Sequence, residues 1–510
     1  MPERFDSRMN QSDATMWRIE ADPSLRTTIV GITILSEAPD WARLQARVEE
    51  LTWEIPRLRQ KVAEPAFGVG TPRWVHDHGF DLDYHLRRMV APAPGDLLTV
   101  LDLAGPIAMT AFDRERPLWE FTLIDGLADG RAALIQKLHH SLTDGVGAIR
   151  MARIAFDEHA HHPHHTAARP LKGAEHRPSG LALAVDTMTE QAKDAAHMMS
   201  RTANAMPGAV DAVLRHPARV ANTVLATAQS IVKLVRPAKE PLSSVMRERG
   251  MSRRLAALDL SLTELKASGH AVGGTMNDAF LAGVAGGMRR YHLAHGADTT
   301  RLRVTMPINL RTSSDSIGNN KFVPARFAVP IDVADPAERM RQLGEMARSW
   351  RKEPGLKFTD VVAGALNVMP PQATTAVLGS MLKAIDFVAT NVPGLDRPAH
   401  LAGATVEQQF AFAPPSGAAF SAALLSYLDR CTLGLVIDTA AVTDPEVLAR
   451  CMAEGFEEVL EVGRVVEAKP AKATARKKGP AVTKAATAKK AATPKKAATA
   501  KKAAPRRSGR

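Results

Sequence analysis

Seven consecutive residues, His139-His140-Ser141-Leu142-Thr143-Asp144-Gly145, hold side chains suited to proton transfer. A hydroxyl ionises far above neutral pH, so making a nucleophile of one needs a base that takes its proton. Imidazole is matched to that task near pH 7. A histidine at a strand end, just before a tight turn and a helix, can be held rigidly while its ring faces a channel. His140 is the candidate base. Asp144 can orient the histidine, pair with an arginine and fix the turn, or cap the following helix, and the residue pattern admits all three. Gly145 and Gly147 permit close packing and positive φ. An arbitrary His-His pair is more often a packed or solvated doublet than a site, so its surroundings must decide.

Those surroundings read as a hairpin feeding a helix. Residues 119–124 and 132–138 alternate as strands, and Asp129-Gly130 between them is a strong hairpin turn. The doublet then stands at a strand end. Beyond it Val146, Ile149, Ile154 and Phe156 have helical spacing, with Thr143 or Asp144 as the N-cap. Upstream, residues 27–35 form a β-branched strand and 41–53 an amphipathic helix ended by Pro56. Residues 157–180 have loop composition, and 181–236 are helical in period, interrupted at Pro207 and Pro217. A second αβ block follows, with helices at 262–268 and 279–295, strands at 302–308, 325–331 and 430–438, and a closing helix at 444–465. The expected division is an N-terminal lobe (1–170), a helical crossover (171–250), a C-terminal lobe (251–467) and a Lys/Ala-rich tail (468–510).

A chain of 510 residues exceeds what one hydrophobic core supports, and 45% hydrophobic with 24% charged residues is a globular composition. The net charge of +12 is misleading as a whole-molecule figure. Residues 468–510 hold 11 Lys, 4 Arg and no acid; the remaining 51 basic residues face 54 acidic ones, a net of −3. The folded part therefore offers no global field for nucleic acid. The tail repeats a Thr-x-Lys-Lys-Ala-Ala unit at 487–504 and lacks any apolar face, so it is expected to stay disordered. It suits a solubilising role, attraction to anionic lipid headgroups, or nucleic acid less well than lipid.

Two cysteines, Cys431 and Cys451, fit a reducing compartment, and neither an apolar targeting segment nor a spanning helix is evident, so a cytoplasmic location with peripheral membrane or lipid-droplet contact is expected. The uncharged run 410–428 comes nearest to a span, but Pro414, Pro415 and Gly417 interrupt it. His76 with His78, and the five histidines within 159–165, lack the preorganised three-ligand pattern of a catalytic zinc, so no metal is expected. No P-loop is present, and no cofactor beyond an acyl-CoA substrate is indicated.

The stretch 139–145 resembles the HHxxxDG motif of the wax ester synthase/diacylglycerol acyltransferase family, and further segments across 9–467 resemble that family too. They are Ser12-Asp13-Ala14 with Trp17 and Glu20; Pro72-Arg73-Trp74-Val75 with Phe80-Asp81-Leu82 and His85; and Pro117-Leu118-Trp119-Glu120. In the second half come Asn277-Asp278, Met306-Pro307-Ile308-Asn309-Leu310-Arg311 and Thr390-Asn391-Val392-Pro393-Gly394. The resemblance implies an α/β, two-lobed chloramphenicol acetyltransferase-like fold, with mixed sheets, flanking helices and an inter-lobe channel. His140, His139 and Asp144 would form the catalytic group, with His140 as base. Gly145, Asn277 and Asp278 would shape the channel, and Arg311 would pair with Asp144.

The implied activity is acyl-CoA-dependent O-acyl transfer making neutral lipid, either triacylglycerol from diacylglycerol or wax ester from a long-chain alcohol. The alternatives are a same-fold acyltransferase with another acceptor and a catalytically silent lipid-droplet or nucleoid-binding protein. One departure stands out. The family usually has a glycine-rich, Asn-containing stretch before a Ser-Tyr-x-Gly segment, whereas here 417–425 is Ala/Phe/Leu-rich and Asp429 replaces the glycine, with Ser426-Tyr427 kept.

Overall fold

The computed structural model describes residues 7–64, 71–159, 189, 240–309, 322–353 and 371–468. Helix α1 (Gln11–Ile19) starts where the Asn10 carboxamide accepts from the Asp13 amide at 2.7 Å. Strand β1 (Thr28–Leu35) and helix α2 (Trp41–Glu54) follow at the positions expected from their patterns. Next come β2 (Gln60–Ala63), β3 (Arg73–His76), the one-turn helix α3 (Leu82–His85), β4 (Leu86–Val90) and α4 (Leu97–Met109). The expected hairpin is β5 (Trp119–Asp125) and β6 (Ala132–His139); Asp129 and Gly130 take the positive φ values (61° and 73°) that make the turn tight. Helix α5 (Gly145–Ala155) completes the first half.

The second half runs β7 (Arg253–Ser261), α6 (Leu262–Ala271), α7 (Met276–Ala294), β8 (Arg301–Asn309), β9 (Phe322–Pro330), α8 (Pro336–Arg351) and α9 (Pro371–Lys383). It ends in β10 (Phe387–Val392), β11 (His400–Leu401), β12 (Ala404–Phe412), β13 (Phe420–Tyr427), β14 (Arg430–Asp438) and α10 (Pro445–Ala468). Two six-stranded mixed sheets result, ordered β11-β12-β1-β6-β5-β4 and β7-β14-β13-β10-β8-β9. β4 is parallel to β5, and β10 is parallel to both β13 and β8.

The sheets do not follow chain order. β11 and β12 lie within the stretch assigned to the second lobe, yet β12 pairs antiparallel with β1 and extends the first sheet. The chain then crosses to the second sheet through Pro414, Pro415 and Gly417, whose φ is +90°. The uncharged run 410–428 is therefore a strand end, a crossing and the buried strand β13, and burial on both faces removes its charge. Apolar residues of both sheets also meet, Ile32, Phe410 and Phe412 packing with Leu255 and Val436. Most of the expected crossover 171–250, Arg311 and the tail beyond Ala468 lie outside the described residues. No described helix is long and apolar enough to cross a membrane.

Candidate active site

The doublet is positioned by β6, which pairs with β1 (Thr28 opposite His139) and with β5 (Trp119 opposite Leu138). The pairing continues one residue further, where the His140 amide donates to the Thr27 carbonyl at 2.9 Å. Successive side chains of a strand point to opposite faces, so the two rings part company. His139 is fully buried. Its Nδ1 accepts from the Ser141 amide at 3.0 Å and lies 2.6 Å from Ser141 Oγ, which puts the ring proton on Nε2. That nitrogen meets Glu20 Oε1 at 3.1 Å, between the edges of Trp17 and Phe112.

Burial would raise the Glu20 carboxyl. The His139 ring and the Thr27 amide (2.7 Å) and hydroxyl (3.0 Å) outweigh it and hold the group down to about 2. His139, expected in the catalytic group, is thus fastened into the framework and does not line the cavity. Glu20 carried no role in the sequence reading, because its partnership with His139 is formed only by the fold.

His140 faces the other way, into a cavity. Burial pushes its imidazole below the ordinary value, against the upward pull of the Asp144 charge. Asp144 is buried and caps α5, accepting from the Gly147 amide at 2.8 Å. Of the three roles open to it, capping is realised, and its charge also reaches His140. The Arg311 partnership falls outside the described residues. Gly145, in the first turn of α5, is needed for space rather than for φ: a Cβ there would stand 2.8 Å from Val392 Cγ2. The first helix after the doublet therefore leans directly on the Thr390-Asn391-Val392 strand end.

The cavity has a volume of ≈ 130 Å³ and lies between the two sheets. Ile29 and Gly31 of β1, Leu138 of β6 and Ala411 of β12 form its floor; Ala148, Ile149 and Ala152 of α5 form the opposite wall. Val392 of β10 and Ala423 and Leu425 of β13 close it from the second sheet. The altered, alanine-rich segment thus supplies cavity wall. Polar exceptions are Thr33, Gln136, Thr390 and Gln409, along with His140 itself. The sequence reading missed Gln136 and Gln409, whose only signal was a polar residue in register with the apolar face of a strand.

Other motif residues build the scaffold. Phe80, His85 and Trp119 stack in a column, with 5.2 and 4.6 Å between successive ring centroids; His85 Nδ1 donates to the Trp119 carbonyl at 2.6 Å, and Trp119 Nε1 to the Leu58 carbonyl at 2.8 Å. The segments ending in His85 and Trp119 are one packing unit. Asn277 and Asp278, expected beside the channel, sit in the first turn of α7 and do not line the cavity. There Asp278 closes a capping box, accepting from the Thr275 amide at 2.8 Å, and lies 3.3 Å from an Arg348 nitrogen. Gly394 accommodates the end of β13: a Cβ there would lie 1.8 Å from the Ser426 carbonyl oxygen, and Ser426 Oγ accepts from the Gly394 amide at 3.1 Å. Among the described residues no group of three His, Cys, Asp or Glu side chains could hold a metal ion.

Residues 9–280 match the model of the wax ester synthase/diacylglycerol acyltransferase catalytic domain, and residues 318–460 that of the family's C-terminal domain. A Mycobacterium tuberculosis protein named as a diacylglycerol O-acyltransferase is 34% identical over 469 residues, covering 90% of this chain and 92% of its own. A second from that organism, named likewise, is 30% identical, covering 75% and 82%. The fold is shared with the wax ester synthase/diacylglycerol acyltransferase of Marinobacter aquaeolei (TM-score 0.59, 23% identity, covering 90% of this chain and 100% of that one). It is shared too with the starter condensation domain of rhizomide synthetase (TM-score 0.54, 12% identity, covering 90% and 95%). By both domain matches and by its likeness to the mycobacterial proteins, the chain belongs to the wax ester synthase/diacylglycerol acyltransferase family.

Proposed function

We propose that the protein transfers a fatty acyl group from coenzyme A to the hydroxyl of a lipid alcohol, with His140 as general base. The observation that carries this is an imidazole lining an apolar cavity, next to a neighbouring ring fastened on both nitrogens. A ring whose proton affinity is lowered by burial is mostly unprotonated at pH 7 and can accept the hydroxyl proton. The alcohol oxygen then attacks the thioester carbonyl. The tetrahedral intermediate collapses, the carbon–sulfur bond breaks, and the imidazolium returns its proton to the departing thiolate. The products are an ester and free coenzyme A. Asp144 favours the imidazolium by charge while its carboxylate holds the start of α5. The sequence needs neither an acyl-enzyme nor a further cofactor.

The names of the mycobacterial relatives favour diacylglycerol as acceptor, which would make triacylglycerol the product; a long-chain alcohol would give a wax ester. Such substrates reside in membranes, and the basic segment 468–510 would draw the protein to anionic lipid from the cytoplasmic side. The test is purified protein with palmitoyl-CoA and each acceptor in turn, following free thiol and resolving the neutral lipids. His140→Ala should lose transfer while keeping its thermal stability. Substantial turnover by a folded His140→Ala protein would sink the assignment.

A further inference from the structure

The floor of the cavity is not uniformly apolar. In the sheet register Gly31 stands opposite both Gln136 and Ala411, and Thr33 opposite Gln409, so these side chains share the face that carries Leu138 and, beyond it, His140. Gln136 bends over Gly31, where its Oε1 accepts from Thr33 Oγ1 at 3.3 Å and keeps its amide nitrogen as a donor. Gln409 is only 5% exposed, and its Oε1 has no hydrogen-bond partner among the described residues.

A buried acceptor without a partner is rare in folded proteins because it forfeits its hydration. A plain hydrocarbon chain lying over Gln409 would seal that deficit in. A hydroxyl on the chain would remove it, since a hydroxyl both donates and accepts and so meets a carboxamide either way round.

We propose that the cavity receives a hydrocarbon chain bearing a hydroxyl part-way along its length, recognised by Gln409 together with Gln136. The inference rests on the cavity being a substrate channel of the transferase described above. Gln136 lies four residues along the strand from His140, about 14 Å at the ~3.4 Å rise of an extended chain. The contact is thus remote from the reacting carbonyl and acts on chain choice. Such a chain could belong to the donor or to the acceptor.

Two arms separate these sources. In the first, ricinoleoyl-CoA and oleoyl-CoA compete for dioleoylglycerol; in the second, ricinoleyl and oleyl alcohol compete for oleoyl-CoA. A neutral hydrogen bond corresponds to a preference of roughly three- to tenfold in kcat/KM for the hydroxylated partner, in the arm whose chain occupies the cavity. Gln409→Leu should bring that ratio to about one, a comparison made within each protein and so independent of its total activity. Gln136→Leu serves the same purpose if the first variant does not fold. Transfer by the wild type with no hydroxyl preference in either arm would overturn this inference alone. Absence of transfer from every pair would overturn the transferase reading, and the inference with it.

Discussion

Gly145→Ala introduces one methyl group at the point where α5 meets β10. Its Cβ would lie 2.8 Å from Val392 Cγ2 and 3.5 Å from Cγ1, well inside ordinary carbon contact. Overpacking of this kind costs about 1–3 kcal/mol, and alanine's better helix propensity returns up to about 1 kcal/mol. The net expectation is a destabilisation of about 1 kcal/mol, small enough for the protein to stay folded. The kinetic effect should be larger. Relief of the contact pushes the start of α5 outward, taking with it the Asp144 cap and the turn that follows His140. A displacement approaching 1 Å in a positioned base costs on the order of 10²-fold in rate. Measured by thiol release under saturating acyl-CoA, Gly145→Ala should therefore lose far more kcat than its thermal shift suggests. Val392→Ala removes the opposing methyl groups, so the double variant should regain most of the lost rate although each single change is deleterious. Additive losses in the double variant would refute the steric reasoning, because independent sites add whereas a shared contact does not.

Three further outcomes follow from the same geometry. With His140 as the proposed base its neutral form is the active one, and burial lowers its pKa, so the acid-side inflection in kcat/KM should lie below the ordinary 6.5; an inflection above 6.5 would contradict the assignment. Glu20→Gln should cost about 1–3 kcal/mol at neutral pH. Because the folded carboxyl titrates at about 2 against an ordinary 4.5, its contribution is complete above 4.5 and is lost as the pH falls toward 2. The melting-temperature gap between wild type and Glu20→Gln should accordingly narrow from pH 6 to pH 3, and a constant gap would speak against a structural carboxylate. Deleting residues 469–510 should reduce co-sedimentation with anionic vesicles at low salt, with each lysine near the surface contributing about 1 kcal/mol at most; unchanged binding would remove the tail from membrane attachment.

The elements nearest the doublet were legible because each shows one clear periodicity. β1, β5 and β6 combine β-branched or alternating patterns with a positive-φ turn, and α2 and α5 have one apolar face and an aspartate cap. β13 was not legible: Phe420–Tyr427 is buried almost throughout, so alternation is lost, and its run with β12 and the intervening prolines imitates a broken apolar helix. α4 hid for another reason, since Pro106 lies inside it. The passage of β12 into the first sheet depends on pairing with β1, a contact no local pattern encodes. Residues with motif likeness also divide in a way the motifs alone do not disclose: Asp278 and Gly394 are spent on capping and close backbone approach, whereas Gly145 and Val392 meet at the cavity.

Strand geometry gives the doublet its meaning. Two adjacent residues at the end of a buried strand cannot both face the same side, so a pair of histidines there divides one ring into the framework and the other into the cavity. The inward ring is held on both nitrogens, by Ser141 and by a carboxylate that stays ionised through the physiological range. Fixing that ring fixes the backbone of residue 139. Residue 140 is then constrained from the other side by its amide bond to Thr27 and by the turn that Asp144 closes onto α5. A base restrained in this manner loses little entropy when the hydroxyl arrives, and this is where rigid support contributes to rate. On the proposed mechanism His139 acts through position without touching the reacting atoms, so disturbing either His139 or Glu20 should lower kcat through the placement of His140 while leaving its pH dependence in the same range.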